Sequence, residues 1–241
     1  MKLSVLTTET FHHIYFVQKL QEIFGCVTVF SETRRRTPPF ETRHPFEKLR
    51  DNFEQSKWFG HREATFSDYA QVYSFPSLND KEAIKALEKE SADLVVVFGT
   101  GLLNDSTIRA CSPHIFNLHG GDPERYRGLD SHLWAIYHRD YKSLVTTIHR
   151  VDSRLDTGEI VFQAQIPLTA KMQLHELRAV NTEICVRLSV TTIDTYVRYG
   201  NVMSRPQRQV GRYYSAMPTQ LKSVCCANFE NYVRGSLKHE A

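Results

Sequence analysis

Asn117 and His119 stand two positions apart in the run NLHGGDPERYRG, the densest polar cluster of the chain. On an extended segment that spacing puts both side chains on one face. A carboxamide beside an imidazole suits an acyl-transfer step. The amide N–H groups stabilise an oxyanion, and the imidazole either takes the proton of an attacking amine or, protonated, joins the amide at the oxyanion; the residue types do not rank the two roles. Such an imidazole needs a carboxylate to orient it and balance its charge. Asp156, in LDTGE on a loop closed by Gly158, is the best-placed candidate.

The elements that must carry these residues read as alternating strands and helices. A strand over Lys2–Leu6, a helix over His13–Phe24 with Thr8 or Thr10 as its cap, and a strand over Val27–Phe30 form a β-α-β opening. A helix is predicted over Lys81–Lys89, with Ile84 and Leu87 inward. Asp93–Phe98 (DLVVVF) is a near-continuous apolar run of the kind found in buried parallel strands. Ile115–Leu118 is a further strand. Leu129–Arg139 is expected as a helix with Leu129, Leu133, Ile136 and Tyr137 on one face, and Trp134 and Tyr137 in the core. Strands over Leu144–Val151 and Glu159–Ile166 flank the Asp156 loop, and a long helix over Leu174–Tyr199 stops at Gly200. The fold class is therefore α/β, a Rossmann-like, mostly parallel sheet flanked by helices. Residues 1–200 are expected to form the catalytic domain and 201–241 a short C-terminal extension, with a strand at Arg212–Ser215 and a helix after Thr219. Residues 31–68, rich in Arg, Glu, Pro and aromatics, read as a substrate-side excursion or an interface. Pro38, Pro39 and Pro45 break their regularity.

Ligands of open α/β sheets bind at the carboxyl ends of the strands. Two more polar clusters fall there, Thr7–His13 and Gly99–Gly101. Gly99 and Gly101 fit a close backbone approach to a cofactor, with plain turn glycines as the competing reading.

The bulk properties set limits. The chain has 241 residues, 41% hydrophobic, with a formal net charge of +3, so it can bury a core and has no charge bias toward nucleic acid or membrane. The five cysteines are scattered without C-x-x-C spacing, which suggests neither a disulfide framework nor a metal site. The opening strand-like run is unlike a leader, and no apolar stretch is long enough for a membrane helix. A reduced, cytoplasmic setting is the expectation.

The order of motifs resembles the folate-dependent formyltransferases, in their catalytic domain. It runs Asn117-x-His119, Arg127-Gly128, a helix, His149-Arg150-Val151-Asp152, then Asp156-Thr157-Gly158. The resemblance is good over residues 90–165 and looser at the flanks. HGGDPERYRGLDSHLWAIY is similar to the nucleotide-sugar N-formyltransferase branch, and only about 40 residues follow the long helix, where the methionyl-tRNA branch carries a C-terminal barrel. The first loop, TTETFHH, lacks the glycines of the glycinamide ribonucleotide branch.

The resemblance implies 10-formyltetrahydrofolate as formyl donor, held by backbone groups of Gly101, Leu102 and Leu103 and of Val151, Asp152 and Leu155. It implies an acceptor amine on a nucleotide-linked sugar, with a GDP- or dTDP-linked 4-amino-4,6-dideoxyhexose favoured, and a homodimer in which Tyr213 and Tyr214 belong to a packing tail segment. Asp122, Glu124, Tyr126, Arg127, His12 and His13 are assigned to the acceptor. For His12 and His13 a solvated helix start competes with this role, and for Arg127 a surface ion pair. His149 is expected to be structural. Arg34, Arg35 and Arg36 form either a solvated run or a pyrophosphate contact. A formyltetrahydrofolate hydrolase, a small-metabolite formyltransferase, and a non-catalytic folate or nucleotide-sugar sensor are the alternatives.

Overall fold

β1 (Leu3–Thr7), α1 (Phe11–Phe24) and β2 (Val27–Glu32) form the expected β-α-β unit, and all five residues of β1 are buried. The structure is a computed structural model that describes residues 1–34 and 37–236. Parallel pairing continues outward through β3 (Gln71–Phe75) and inward through β4 (Leu94–Phe98) and β5 (Ile115–His119). β7 (Val145–Arg150) then runs antiparallel to β5, and β8 (Ile160–Gln165) antiparallel to β7. The sheet order is β3-β2-β1-β4-β5-β7-β8. The mostly parallel, Rossmann-like α/β class is as the sequence predicts. A separate two-stranded ribbon pairs β6 (Tyr126–Gly128) with β9 (Arg212–Tyr214).

Successive strand residues serve opposite faces. Leu3, Val5, Val29 and Val96 pack under α1 and α6 (Leu177–Tyr199). Leu6, Phe30, Val95 and Val97 pack on the other face with Leu87 of α3 (Lys81–Glu90) and Ile108 of α4 (Asp105–Ala110). A third cluster joins Ile136 of α5 (Ser131–Tyr137), Leu177 of α6 and Phe229 of α7 (Thr219–Ser236).

Several segments depart from expectation. Within residues 31–68 lies α2 (Pro45–Phe59): Pro45 starts this helix, and His44 and Glu47 form its capping box. Its core contribution is aromatic, from Phe46 and Phe59, so an aliphatic count misses it. β3 escapes pattern reading because it is an edge strand with no buried residue. Leu129 lies outside α5 and is 58% exposed, because the helix begins only after Asp130, whose φ of 52° is left-handed. Leu174–Glu176 form a 3₁₀ turn ahead of α6, which ends at Gly200 as predicted.

Candidate active site

β4 and β5 lie side by side with Val97 opposite Asn117, and β7 places His149 opposite Asn117 on its other flank. The C-terminal ends of these strands and the loop between β7 and β8 line a cavity of about 810 Å³. Asn117, His119, His149 and Asp156 all reach it.

The hydrogen bonds determine how each group points. His149 Nδ1–H donates to the carbonyl of Arg150 at 2.7 Å, which leaves Nε2 as an acceptor. Asn117 Nδ2 donates to that Nε2 at 3.1 Å, so the amide nitrogen, not its oxygen, faces the ring. A longer contact of 3.4 Å joins Asn117 Nδ2 to Asp156 Oδ1. His119 Nε2–H donates to the Tyr126 carbonyl at 2.8 Å, and its Nδ1 stands 3.6 Å from Asp156 Oδ2. One carboxylate thus sits between two imidazoles, with His149 Nε2 3.6 Å from Asp156 Oδ1.

Asp156 is held firmly. It adopts a left-handed φ of 53°, uncommon for a residue with a Cβ. Its Oδ2 accepts the Gly128 N–H at 2.8 Å. Burial alone would push this carboxyl up, but the attraction of the flanking His119 and His149 rings in their protonated form, and the Gly128 N–H, hold it well below the usual carboxylate range. Gly158 is required two residues on, because a Cβ there would fall 1.7 Å from the Arg150 carbonyl oxygen.

The sequence profile of the family described as formyl transferase matches residues 40–188. The chain belongs to the formyl transferase family. The methionyl-tRNA formyltransferase of Rickettsia typhi is 30% identical over 152 residues, 62% of this chain and 48% of that protein. This chain spans about half the length of the curated relatives it matches. Among solved structures, WlaRD, a sugar 3N-formyl transferase crystallised with dTDP and 5-N-formyl-THF, superimposes with a TM-score of 0.59 at 13% identity, covering 89% of this chain and 69% of its own. The formyltransferase PseJ from Anoxybacillus kamchatkensis, in complex with UDP-4,6-dideoxy-4-formamido-L-AltNAc and tetrahydrofolate, gives 0.52 at 18%, covering 89% and 86%. At these identities the likeness is one of fold.

In this chain the two segments assigned to the folate face the same cavity and are already braced. Gly101 N–H donates to Glu32 Oε2 at 2.8 Å, and Asn79 Nδ2 donates to the Leu102 carbonyl at 2.9 Å. Leu103 is buried, while Leu102 is 46% exposed at the rim. Asp152 Oδ1 accepts from Arg154 N and Thr157 Oγ1, which closes the turn before Leu155 and Asp156. Val151 N–H bonds the Ile115 carbonyl, in sheet fashion.

The acceptor set is only partly gathered. His12, His13 and Arg127 line the cavity, whereas Asp122, Glu124 and Tyr126 do not. Asp122 turns back onto Glu124 N, Glu124 forms a forked pair with Arg205, and the buried Tyr126 hydroxyl donates to Asp140 Oδ2. Arg127 spends its Nε on the Gly211 carbonyl at 2.6 Å and its Nη1 on the Leu155 carbonyl at 2.9 Å, so it clamps the Asp156 loop to the tail. His13 packs against Gly99, where a Cβ would meet its ring at 2.4 Å; that contact and a φ of 79° account for this glycine. Arg34 bonds the Pro76 carbonyl through its backbone and does not line the cavity. Arg35 and Arg36 lie outside the described residues.

One contact and one residue of the site escaped the sequence reading. His149, expected to be structural, makes the direct contact to Asn117, a fact visible only once β5 and β7 are paired. Gln207 Nε2 donates to the carbonyls of Asp156 and Gly158, both at 2.9 Å, and no local pattern marks it.

Proposed function

We propose that this chain transfers the formyl group of 10-formyltetrahydrofolate to the amine of a nucleotide-linked amino sugar. The observation that carries the reading is the convergence of Asn117, His119 and Asp156 in one cavity also lined by residues 101–103 and by Val151, Asp152, Arg154 and Leu155. Neighbouring folds crystallised with folates and nucleotide sugars support the pairing of substrates.

A neutral amine attacks the formyl carbon, and negative charge develops on the formyl oxygen. Asn117 keeps one N–H on His149 and turns the other, now in the long contact to Asp156, to that oxygen. His119 has Nε2 committed to Tyr126, which leaves Nδ1 to take the amine proton, with Asp156 beside it to stabilise the imidazolium. The tetrahedral adduct then collapses, the bond from the formyl carbon to N10 breaks, and N10 takes the proton from His119 as tetrahydrofolate leaves. A cytoplasmic homodimer belongs to the same reading. A GDP- or dTDP-linked 4-amino-4,6-dideoxyhexose is the favoured acceptor.

The test is turnover with 10-formyltetrahydrofolate and a panel of nucleotide-linked 3-amino and 4-amino sugars, following tetrahydrofolate release together with product mass. One sugar heavier by a formyl group supports the reading. Tetrahydrofolate released without a heavier sugar replaces it with the hydrolase.

A further inference from the structure

At a wall of the cavity formed by α1, α2 and α6, Arg50, Arg178 and His12 form a cluster that the reaction above does not use. Both guanidiniums line the cavity, but their carboxylate partners do not. Arg178 meets the fully buried Glu54 in a fork, Nε to Oε1 and Nη2 to Oε2, each at 2.7 Å, and shares Asp51 with Arg50. The acids therefore stand behind the arginines as braces. Among the described residues, Arg178 Nη1 has no hydrogen-bond partner, and Arg50 Nη1 has only Glu47 at 3.9 Å. His12 is buried; its Nδ1 is 3.0 Å from Thr10 Oγ1 and 3.9 Å from Glu54 Oε2, and its Nε2 has no partner among the described residues.

Local features of this wall suit a further anion. Arg178 occupies the first turn of α6, where the helix dipole disfavours a cation. Thr10 turns its hydroxyl to the His12 and His13 rings and leaves the first amides of α1 uncapped. Burial, and then the neighbouring Arg178, pull the Arg50 guanidinium below its ordinary range, against the opposing pull of Asp51, Glu54 and Glu47. Planar guanidiniums with carboxylates fixing one edge present the other edge for oxyanions.

We infer that Arg50, Arg178 and His12 form a subsite for a phosphate group of the acceptor. The assignment rests on the reading that the acceptor is nucleotide-linked. Free donors from two guanidiniums, with the edge of the His12 ring beside them, match the oxygens of a diphosphate.

Calorimetric titration of the full chain with inorganic pyrophosphate, UDP and dTDP, and separately with 5-formyltetrahydrofolate, tests it. Arg50→Gln should weaken pyrophosphate and nucleotide binding by about tenfold or more, as loss of a charge-assisted bond implies, and leave the folate affinity unchanged. Because Arg178→Gln alone would strand Glu54, the paired Glu54→Gln, Arg178→Gln variant is the second arm, with its melting curve recorded, and should behave the same way. Absence of pyrophosphate binding to the unsubstituted chain, or unchanged affinity in both folded variants, overturns the subsite. So does weakening of the folate alone, which would assign the arginines to folate carboxylates. Formyl transfer to a sugar that pyrophosphate fails to inhibit would sink the subsite and spare the proposed function. Pyrophosphate bound through the arginines without formyl transfer to any sugar would do the reverse.

Discussion

Gln207 reaches from the tail to donate through one nitrogen to the carbonyl oxygens of both Asp156 and Gly158, at 2.9 Å each. Its own Oε1 is buried without a partner among the described residues. A buried orphan acceptor costs about 1–3 kcal/mol, so the two donated bonds must outweigh it. What they secure is the left-handed backbone of Asp156 and hence the direction of its carboxylate. Gln207→Leu should keep the fold and lower kcat about tenfold or more, by the misplacement of a catalytic group. Steady-state kinetics with a folate-binding titration check this; a KM change without a kcat change would place Gln207 at the substrate instead.

His119→Asn should reduce turnover by about two to four orders of magnitude, the usual worth of a positioned proton carrier. Binding of 5-formyltetrahydrofolate should survive, because the folate segments owe their bracing to Glu32, Asn79 and Thr157. Turnover like that of the unsubstituted chain would remove His119 from the chemistry.

Gly158→Ala should be severely destabilising, by more than about 3 kcal/mol, since the added Cβ would overlap a backbone oxygen that cannot swing away. Gly235→Ala is the matched control, with open space around its Cβ in α7 and no loss expected. Thermal melting of the two variants side by side settles it: equal midpoints would mean the Asp156 loop yields.

Acid should destabilise the fold through buried neutral histidines. Burial lowers His132 to about 4 and His13 to about 3, from 6.5 in the open chain. Below pH 6.5 the unfolded chain takes up protons that the folded one refuses, so stability falls as pH drops from 6.5 toward these values. Asp156 adds the same sign at lower pH: its depressed carboxyl stabilises the fold above the usual carboxylate range, and this is lost as pH falls through that range. The midpoint at pH 5 should lie below that at pH 7, and His132→Asn should narrow the gap. A pH-independent midpoint would contradict the burial of these rings.

Glu124→Gln should leave the KM for the acceptor unchanged and lower stability by about 1 kcal/mol, through the weakened pair with Arg205. A raised KM would return Glu124 to the acceptor.

Some of this molecule was written locally. DLVVVF had to be a buried strand, because six residues with almost no polar side chain cannot face water on either side. Asn117 and His119 had to share a face wherever their strand lay, because a strand alternates. The D-T-G turn carried its glycine in sequence, although the obstacle that demands it, the Arg150 carbonyl, belongs to the preceding strand. Other relationships depended on long-range pairing. His149 became a partner of Asn117 when β7 docked antiparallel on β5. Arg127 and Gln207 became braces of Asp156 when β9 paired with β6 and drew the tail across the loop. Arg50 and Arg178, 128 positions apart by their numbers, met only when α2 packed against the start of α6. Local propensity and alternation act over a few residues and are legible along the chain. Which carboxylate braces which cation depends on how distant elements pack, and that only the tertiary structure decides.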